Sequence, residues 1–193
     1  MVVYTDNPRF AASFLPPGMT SELAPGVVCD PGLEPVLDRV LSGAGPLHSA
    51  HAPDVSWPHL ALSEFSDGSQ YDKVIEMARQ GPPMPHGLAC LAGSGRGFHG
   101  FKGRRWASVP GNLHLVAHFT PLRAVESFEI AFTILAALSV VDALAQIDGF
   151  QERPGIKWIN DVTVGGAKLA GVISAAQSRG ARITRPPKTS PMH

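Results

Sequence analysis

The residues best suited to chemistry fall in two blocks. The first is a glycine-arginine run, Gly93-Ser94-Gly95-Arg96-Gly97-Phe98-His99-Gly100-Phe101-Lys102-Gly103-Arg104-Arg105-Trp106, with five glycines between Gly93 and Gly103. Glycines let backbone N–H groups come close to an anion, and arginine forks match carboxylate and phosphate oxygens. Arg96, Lys102, Arg104 and Arg105 concentrate positive charge there, which suits a phosphate or an acyl phosphate. The second block is Lys157-Trp158-Ile159-Asn160-Asp161, followed by Lys168-Leu169-Ala170-Gly171. A lysine there can neutralise charge developing on a phosphate and hold an acyl carboxylate. Basic surface loops have many uses and lysine is mostly exposed, so neither block alone assigns a chemistry.

Other constellations carry less. Gly95–Gly100 spells G-x-G-x-x-G, but a dinucleotide site needs that motif to close a strand and open a helix. Here it runs into Gly103 and an Arg-Arg-Trp turn, and no Walker-type phosphate loop exists. His114 and His118 lie four apart on one strand face, with no obvious third ligand for a metal. His99 reads as a substrate contact or a solvated side chain, and Asp161 as a structural group orienting a hairpin. The two cysteines, Cys29 and Cys90, suggest neither a disulfide framework nor a zinc site, which suits a reducing compartment.

The elements that must position these blocks follow from periodicity. His59–Phe65 reads as a strand, Gln70–Arg79 as a helix capped by Ser69, and Gly87–Leu91 as a second strand. Gly93 to Gly103 reads as a flexible loop. Asn112–Phe119 alternates, with Leu113, Leu115, Ala117 and Phe119 on one face. A long helix over Val125–Ile147 is expected to be buried, its apolar side formed by Phe128, Phe132, Leu135, Leu138, Val141 and Leu144. Ile156–Val164 and Ala167–Ala175, joined by Gly165-Gly166, read as two strands of a hairpin with a primed turn. On the first strand Lys157, Ile159 and Asp161 would share a face.

Residues 1–57 read as an irregular lead-in with one short helix at Gly32–Leu41, residues 58–177 as the core, and 178–193 as a basic disordered tail. The 193 residues, 44% hydrophobic and 17% charged, describe a globular chain of α+β class with a mixed sheet packed by helices. Sixteen basic residues balance sixteen acidic ones, so nothing global points to nucleic acid or a membrane surface. Glu129 and Asp142 interrupt the longest apolar stretch, leaving it short of the about 20 residues a bilayer requires. The start shows no secretory pattern, and a cytoplasmic location is expected.

Together the blocks resemble the biotin–protein ligase family, within the wider biotin/lipoate ligase fold. That family pattern has a Gly-Arg-rich loop ending in Arg-x-Trp, a Gly-Asn-Leu strand start, then Lys-Trp-Pro-Asn-Asp and Lys-Leu-Ala-Gly. The corresponding residues are Arg104-Arg105-Trp106, Gly111-Asn112-Leu113, Lys157 to Asp161, and Lys168 to Gly171. The similarity runs from about His59 to Ala175 and keeps order and spacing. It implies a class II synthetase-like catalytic fold, with ATP, Mg2+ and biotin as cofactors and substrate. It further implies formation of biotinyl-adenylate and transfer to a lysine of a biotin carboxyl carrier protein.

By the same resemblance Lys157 would contact the biotin carboxylate and the α-phosphate. Arg96 and Arg104 would lie in the loop that folds over the adenylate. Ser69 would help hold the biotin head group, and Gly93, Gly95, Gly97, Trp106, Asn160, Asp161, Lys168 and Gly171 would line the nucleotide and substrate site. The chain departs from the pattern at Gly68-Ser69-Gln70-Tyr71, where only the serine is kept, at Cys90 in place of glutamine, and at Ile159 in place of proline. Its loop is longer by about five residues. These departures leave open lipoate or octanoate as the acid. After Ala175 the family continues with a further strand and a small β-barrel that the residues here do not match, so weak activity, or ligand binding without catalysis, is an alternative expectation. Members of the family often dimerise through a sheet edge, and a homodimer is possible here too.

Overall fold

Two parallel strands buried on both faces form the centre of the protein. In the computed structural model, which describes residues 1–16, 23–25, 32–41, 45–52, 55–80, 84–121, 128–150 and 152–176, these strands are β4 (His59–Ser66) and β5 (Leu88–Gly95). Helix α3 (Gln70–Gln80) connects them, and the Ser69 hydroxyl accepts from the Asp72 amide at 3.3 Å as the expected cap. Near-continuous runs such as Leu60-Ala61-Leu62 and Leu88-Ala89-Cys90-Leu91 suit strands covered on both sides.

The lead-in expected over residues 1–57 is a correction. It supplies β1 (Val2–Thr5), α1 (Pro8–Ala12), β2 (Ala24–Pro25), α2 (Glu34–Val40) and β3 (His48–His51). β1 pairs parallel to β4 and antiparallel to β3, with Val3 opposite both Leu60 and Ala50. With β6 (His114–His118) antiparallel to β5, the mixed sheet runs β2-β3-β1-β4-β5-β6. Strands as short as Val2–Thr5 carry too few residues for periodicity to register. The pleat sends Tyr4, Ala61 and Cys90 to one face, against Leu33, Val36, Leu37 and Val40 of the α2 segment and Val74 and Met77 of α3. Val3, Leu62 and Leu91 point to the other face, where Ala11 and Phe10 of α1 cover them.

Two further expectations change. The glycine run is not one flexible loop: β5 continues through Gly95, and the remainder is an ordered hairpin. On β6 the alternation is as expected, and it is Val116, on the face opposite Leu113 and Leu115, that packs on the core while those two leucines are exposed. Ile156–Val164 is not one strand either. It divides into β7 (Gly155–Lys157) and β8 (Asp161–Val164) around a turn at 158–160, where the Trp158–Ile159 peptide is cis.

β8 continues into β9 (Ala167–Gly171) through Gly165 and Gly166, both at positive φ as a primed turn demands. The β7-β8-β9 sheet is separate from the large one, and α4 (Phe128–Ala145) lies against β7 and β8. Helix α4 is not the buried helix expected: Ala137 is fully covered, but Leu135 and Leu138 are about half exposed, at 52% and 48%. Residues 125–127 of the expected helix and the 178–193 tail lie outside the described residues. Among the described residues, no helix is long and apolar enough to cross a membrane.

Candidate active site

The glycine-arginine block is held in shape by its own backbone. After β5 the chain turns at Gly97, at φ +70°, and pairs with itself: Trp106 N donates to Phe98 O at 2.9 Å and Gly100 N to Arg104 O at 2.8 Å. His99 and Arg105 are bridged between these bonds, and Phe101–Gly103 closes the tip in a tight turn with Lys102 at φ +59°. Gly100 is required by packing, since a Cβ there would overlap the Trp106 indole nitrogen. Trp106 thus packs against Gly100, and Arg104 and Arg105 beside the tip are exposed. The Arg104 Nε donates to the Phe101 carbonyl at 3.4 Å.

The second block supplies the opposite wall. Asn160 is fixed by a double link to Val172, donating from Nδ2 to its carbonyl at 3.0 Å and accepting from its amide at 2.9 Å through its own carbonyl. Asp161 and Lys168 form an ion pair at 2.7 Å across β8 and β9. Gly171 leaves room for that pair, because a Cβ there would stand 2.9 Å from the lysine ammonium. Between the walls is a cleft of about 200 Å3 lined by Gly100, Phe101, Arg104, Arg105, Trp106, Asn160, Asp161 and Lys168. Blocks separated by fifty residues of sequence therefore meet across one opening.

Of the residues singled out from sequence, Arg104, Trp106, Asn160, Asp161 and Lys168 line this cleft. Gly171 stands behind the ion pair. Lys157 is exposed on β7, opposite Asp161 in register, and borders the cleft without lining it. Arg96 is at the base of the loop, its guanidinium 5.6 Å from the centre of the Phe65 ring. Gly93 and Gly95 belong to β5, where a Cβ would run into Phe10 and Ser66 respectively, so their smallness serves packing. Ser69 is buried and engaged as the α3 cap, next to the turn at Gly97. Arg105, one of the four cations singled out in the glycine-arginine block, also lines the cleft, whereas sequence reasoning gave no separate role to Gly100 and Phe101.

The electrostatics around the loop are asymmetric. His99 faces Asp72 at 2.8 Å, and that hydrogen bond, followed by one to the Gly100 carbonyl, raises its pKa above the ordinary 6.5. His114, packed 4.6 Å from the Phe98 ring centre, is shifted the other way because burial disfavours its charged form. Its Nε2 is 3.1 Å from the Ser108 hydroxyl, while His118 Nδ1 faces the Pro85 carbonyl. Among the described residues, no group of three or more His, Cys, Asp or Glu side chains could hold a metal. Burial pushes the Cys90 thiol up to about 12, so this residue is an inert part of the core.

No protein-family profile matches the chain. Over 91 residues, 47% of the chain, it is 34% identical to a biotin–[acetyl-CoA-carboxylase] ligase of Paracoccus denitrificans. The matched segment spans 35% of that relative's length. The similarity is partial and supports likeness to the biotin ligase family at a general level.

Proposed function

We propose that the chain has a biotin–protein ligase-like activity: ATP-dependent conversion of biotin to biotinyl-AMP and transfer of the acyl group to a lysine of a biotin carboxyl carrier protein. The observation that carries this reading is the cleft that Arg104, Arg105 and Trp106 of the loop line together with Lys168 of the hairpin. Attack of a carboxylate on the α-phosphorus concentrates negative charge on the phosphoryl oxygens, and forked arginine donors aimed at that point stabilise it. The carboxylate oxygen–phosphorus bond forms as the bond to pyrophosphate breaks, the electron pair leaving with pyrophosphate. In the second half-reaction the carrier amine attacks the acyl carbon, AMP departs with the electron pair of the acyl carbon–oxygen bond, and the amine nitrogen loses a proton to solvent.

Each residue has a part in this reading. Lys168 is neutralised by Asp161 until an anion competes for it, and Trp106 with Phe101 gives an apolar flank that limits water near a mixed anhydride. Lys157, beside Asp161, is assigned to the acyl carboxylate and α-phosphate, and Arg96 to the loop base that folds over the adenylate. Asp161 is the cleft's one carboxylate among the lining residues and is already paired. The residues do not form a cage for Mg2+, which would enter on the nucleotide's phosphates.

A second reading, a lipoate- or octanoate-handling relative, is favoured by Cys90. Where the family pattern has glutamine, a fully buried thiol offers little hydrogen bonding to a polar head group. The test is ATP-dependent pyrophosphate release with biotin, lipoate and octanoate, comparing the chain with Arg104→Ala and Lys157→Ala. We expect release with one acid, reduced about a hundredfold by loss of a donor to the developing charge. Release with lipoate alone selects the second reading. Binding of biotin without release identifies a non-catalytic ligand-binding protein.

A further inference from the structure

Both ring nitrogens of His99 face acceptors. Nδ1 stands 3.2 Å from the Gly100 carbonyl, and Nε2 lies 2.8 Å and 3.0 Å from the two carboxylate oxygens of Asp72. A neutral imidazole carries one N–H and can serve one of these partners, whereas imidazolium serves both. The two residues belong to different elements. Asp72 lies in the first turn of α3, while His99 is in the loop hairpin, bridged through its backbone to Arg105. The groups around the ring are Asp72 and Tyr71 from α3, the latter edge-on at 6.4 Å, and Arg105 on the returning arm of the loop. Arg79, farther along α3, acts on Tyr71.

We propose that Asp72 and protonated His99 form a latch that docks the glycine-arginine loop on α3 and so positions Arg104 and Arg105 over the cleft. Both are positioning residues, acting through the loop backbone, and neither lines the cleft. The catalytic consequence rests on the ligase reading; the latch itself does not. The pH dependence has a definite sign. Because the docked form raises the pKa of His99 above 6.5, the latch is at full strength below that value and is lost as pH rises through the raised pKa. The pair is partly exposed, with side-chain exposures of 30% and 54%, so the effect is modest.

The loop reports on its own docking, since trypsin cleaves after Lys102, Arg104 and Arg105. Cleavage in this segment, mapped by mass spectrometry and normalised to a small chromogenic substrate, should accelerate up to about fivefold between about pH 6 and about pH 8.5. Asp72→Asn should be fast throughout and flat with pH, and His99→Gln, which leaves α3 intact, should behave alike. Circular dichroism melts check that both variants are folded. Equal, pH-independent cleavage of all three proteins overturns the latch. In the ligase assay, the KM for ATP should rise with pH over the same window in the native chain and not in Asp72→Asn. Loop cleavage that follows the latch while no acid releases pyrophosphate would sink the ligase reading alone. Pyrophosphate release with flat cleavage would sink the latch alone.

Discussion

The two sheets of this protein use similar apolar sequence to opposite effect. In the six-stranded sheet, residues such as Tyr4, Leu62 and Leu88 are fully buried between α1 on one face and α2 with α3 on the other. In the part built from α4 and β7-β8-β9, Leu135 and Leu169 are about half exposed, and Trp158 is 75% exposed. Hydropathy alone would rank α4 above α3 as a core helix, yet it is α3 that seals a face, with Val74 and Met77 buried against the sheet. Apolar character makes a residue available for burial, and a facing surface decides whether burial occurs. The cleft lies where the covered part meets the open one.

Chemical labelling gives the widest contrast between the two parts. In a Cys29→Ser background, the thiol of Cys90 at about 12 should alkylate about a thousandfold more slowly in the native protein than in urea, at mildly alkaline pH. A cysteine placed at Leu138 should react at an ordinary rate in the native state. Similar rates at both sites would break the comparison. In urea denaturation, Leu62→Ala should cost about 3 kcal/mol through the cavity it leaves, against less than about 1 kcal/mol for Leu138→Ala. A large loss from Leu138→Ala would mean that this face is covered in solution.

The seam between the parts can be tested directly. Gly100→Val should push Trp106 off the loop, shifting its emission to the red in a chain without Trp57 and Trp158. The same change should lower pyrophosphate release about tenfold through misplacement of the arginines. Unchanged emission would show that the loop has room the packing denies. The smallest effect belongs to Asp161→Asn, which frees Lys168 from a half-exposed pair and should alter stability by less than about 1 kcal/mol in thermal melts.

Legibility in the sequence followed the same division. β4, α3 and the α2 segment were readable because each is long enough for its period to register and because each is truly covered. Ser69 was readable as a cap from its place before Gln70. The opening strands were missed for want of length: Val2–Thr5 shows nothing on its own and becomes a strand only through partners at His48–His51 and His59–Ser66. On β6 alternation showed the period, but which face is buried became legible only from the sheet, where Val116 packs on the core and Leu115 is exposed. At the site, the glycine-arginine and lysine blocks were identified by residue type, and their meeting across one cleft was a matter of tertiary structure. Lys157 and Arg96 had chemical character equal to that of Arg104, but register and the Phe65 contact leave them at its margin.

The position of β1 also has a consequence in time. It is synthesised before both of its neighbours, β3 and β4, and its parallel pairing with β4 needs a complete crossover in between. The centre of the sheet therefore cannot form in the order of synthesis. Until His59–Ser66 is made, Val3 and Tyr4 have no sheet to enter. Val2–Thr5 is until then an unpaired apolar strand, and the delay before it is paired is the interval in which a chaperone would find it.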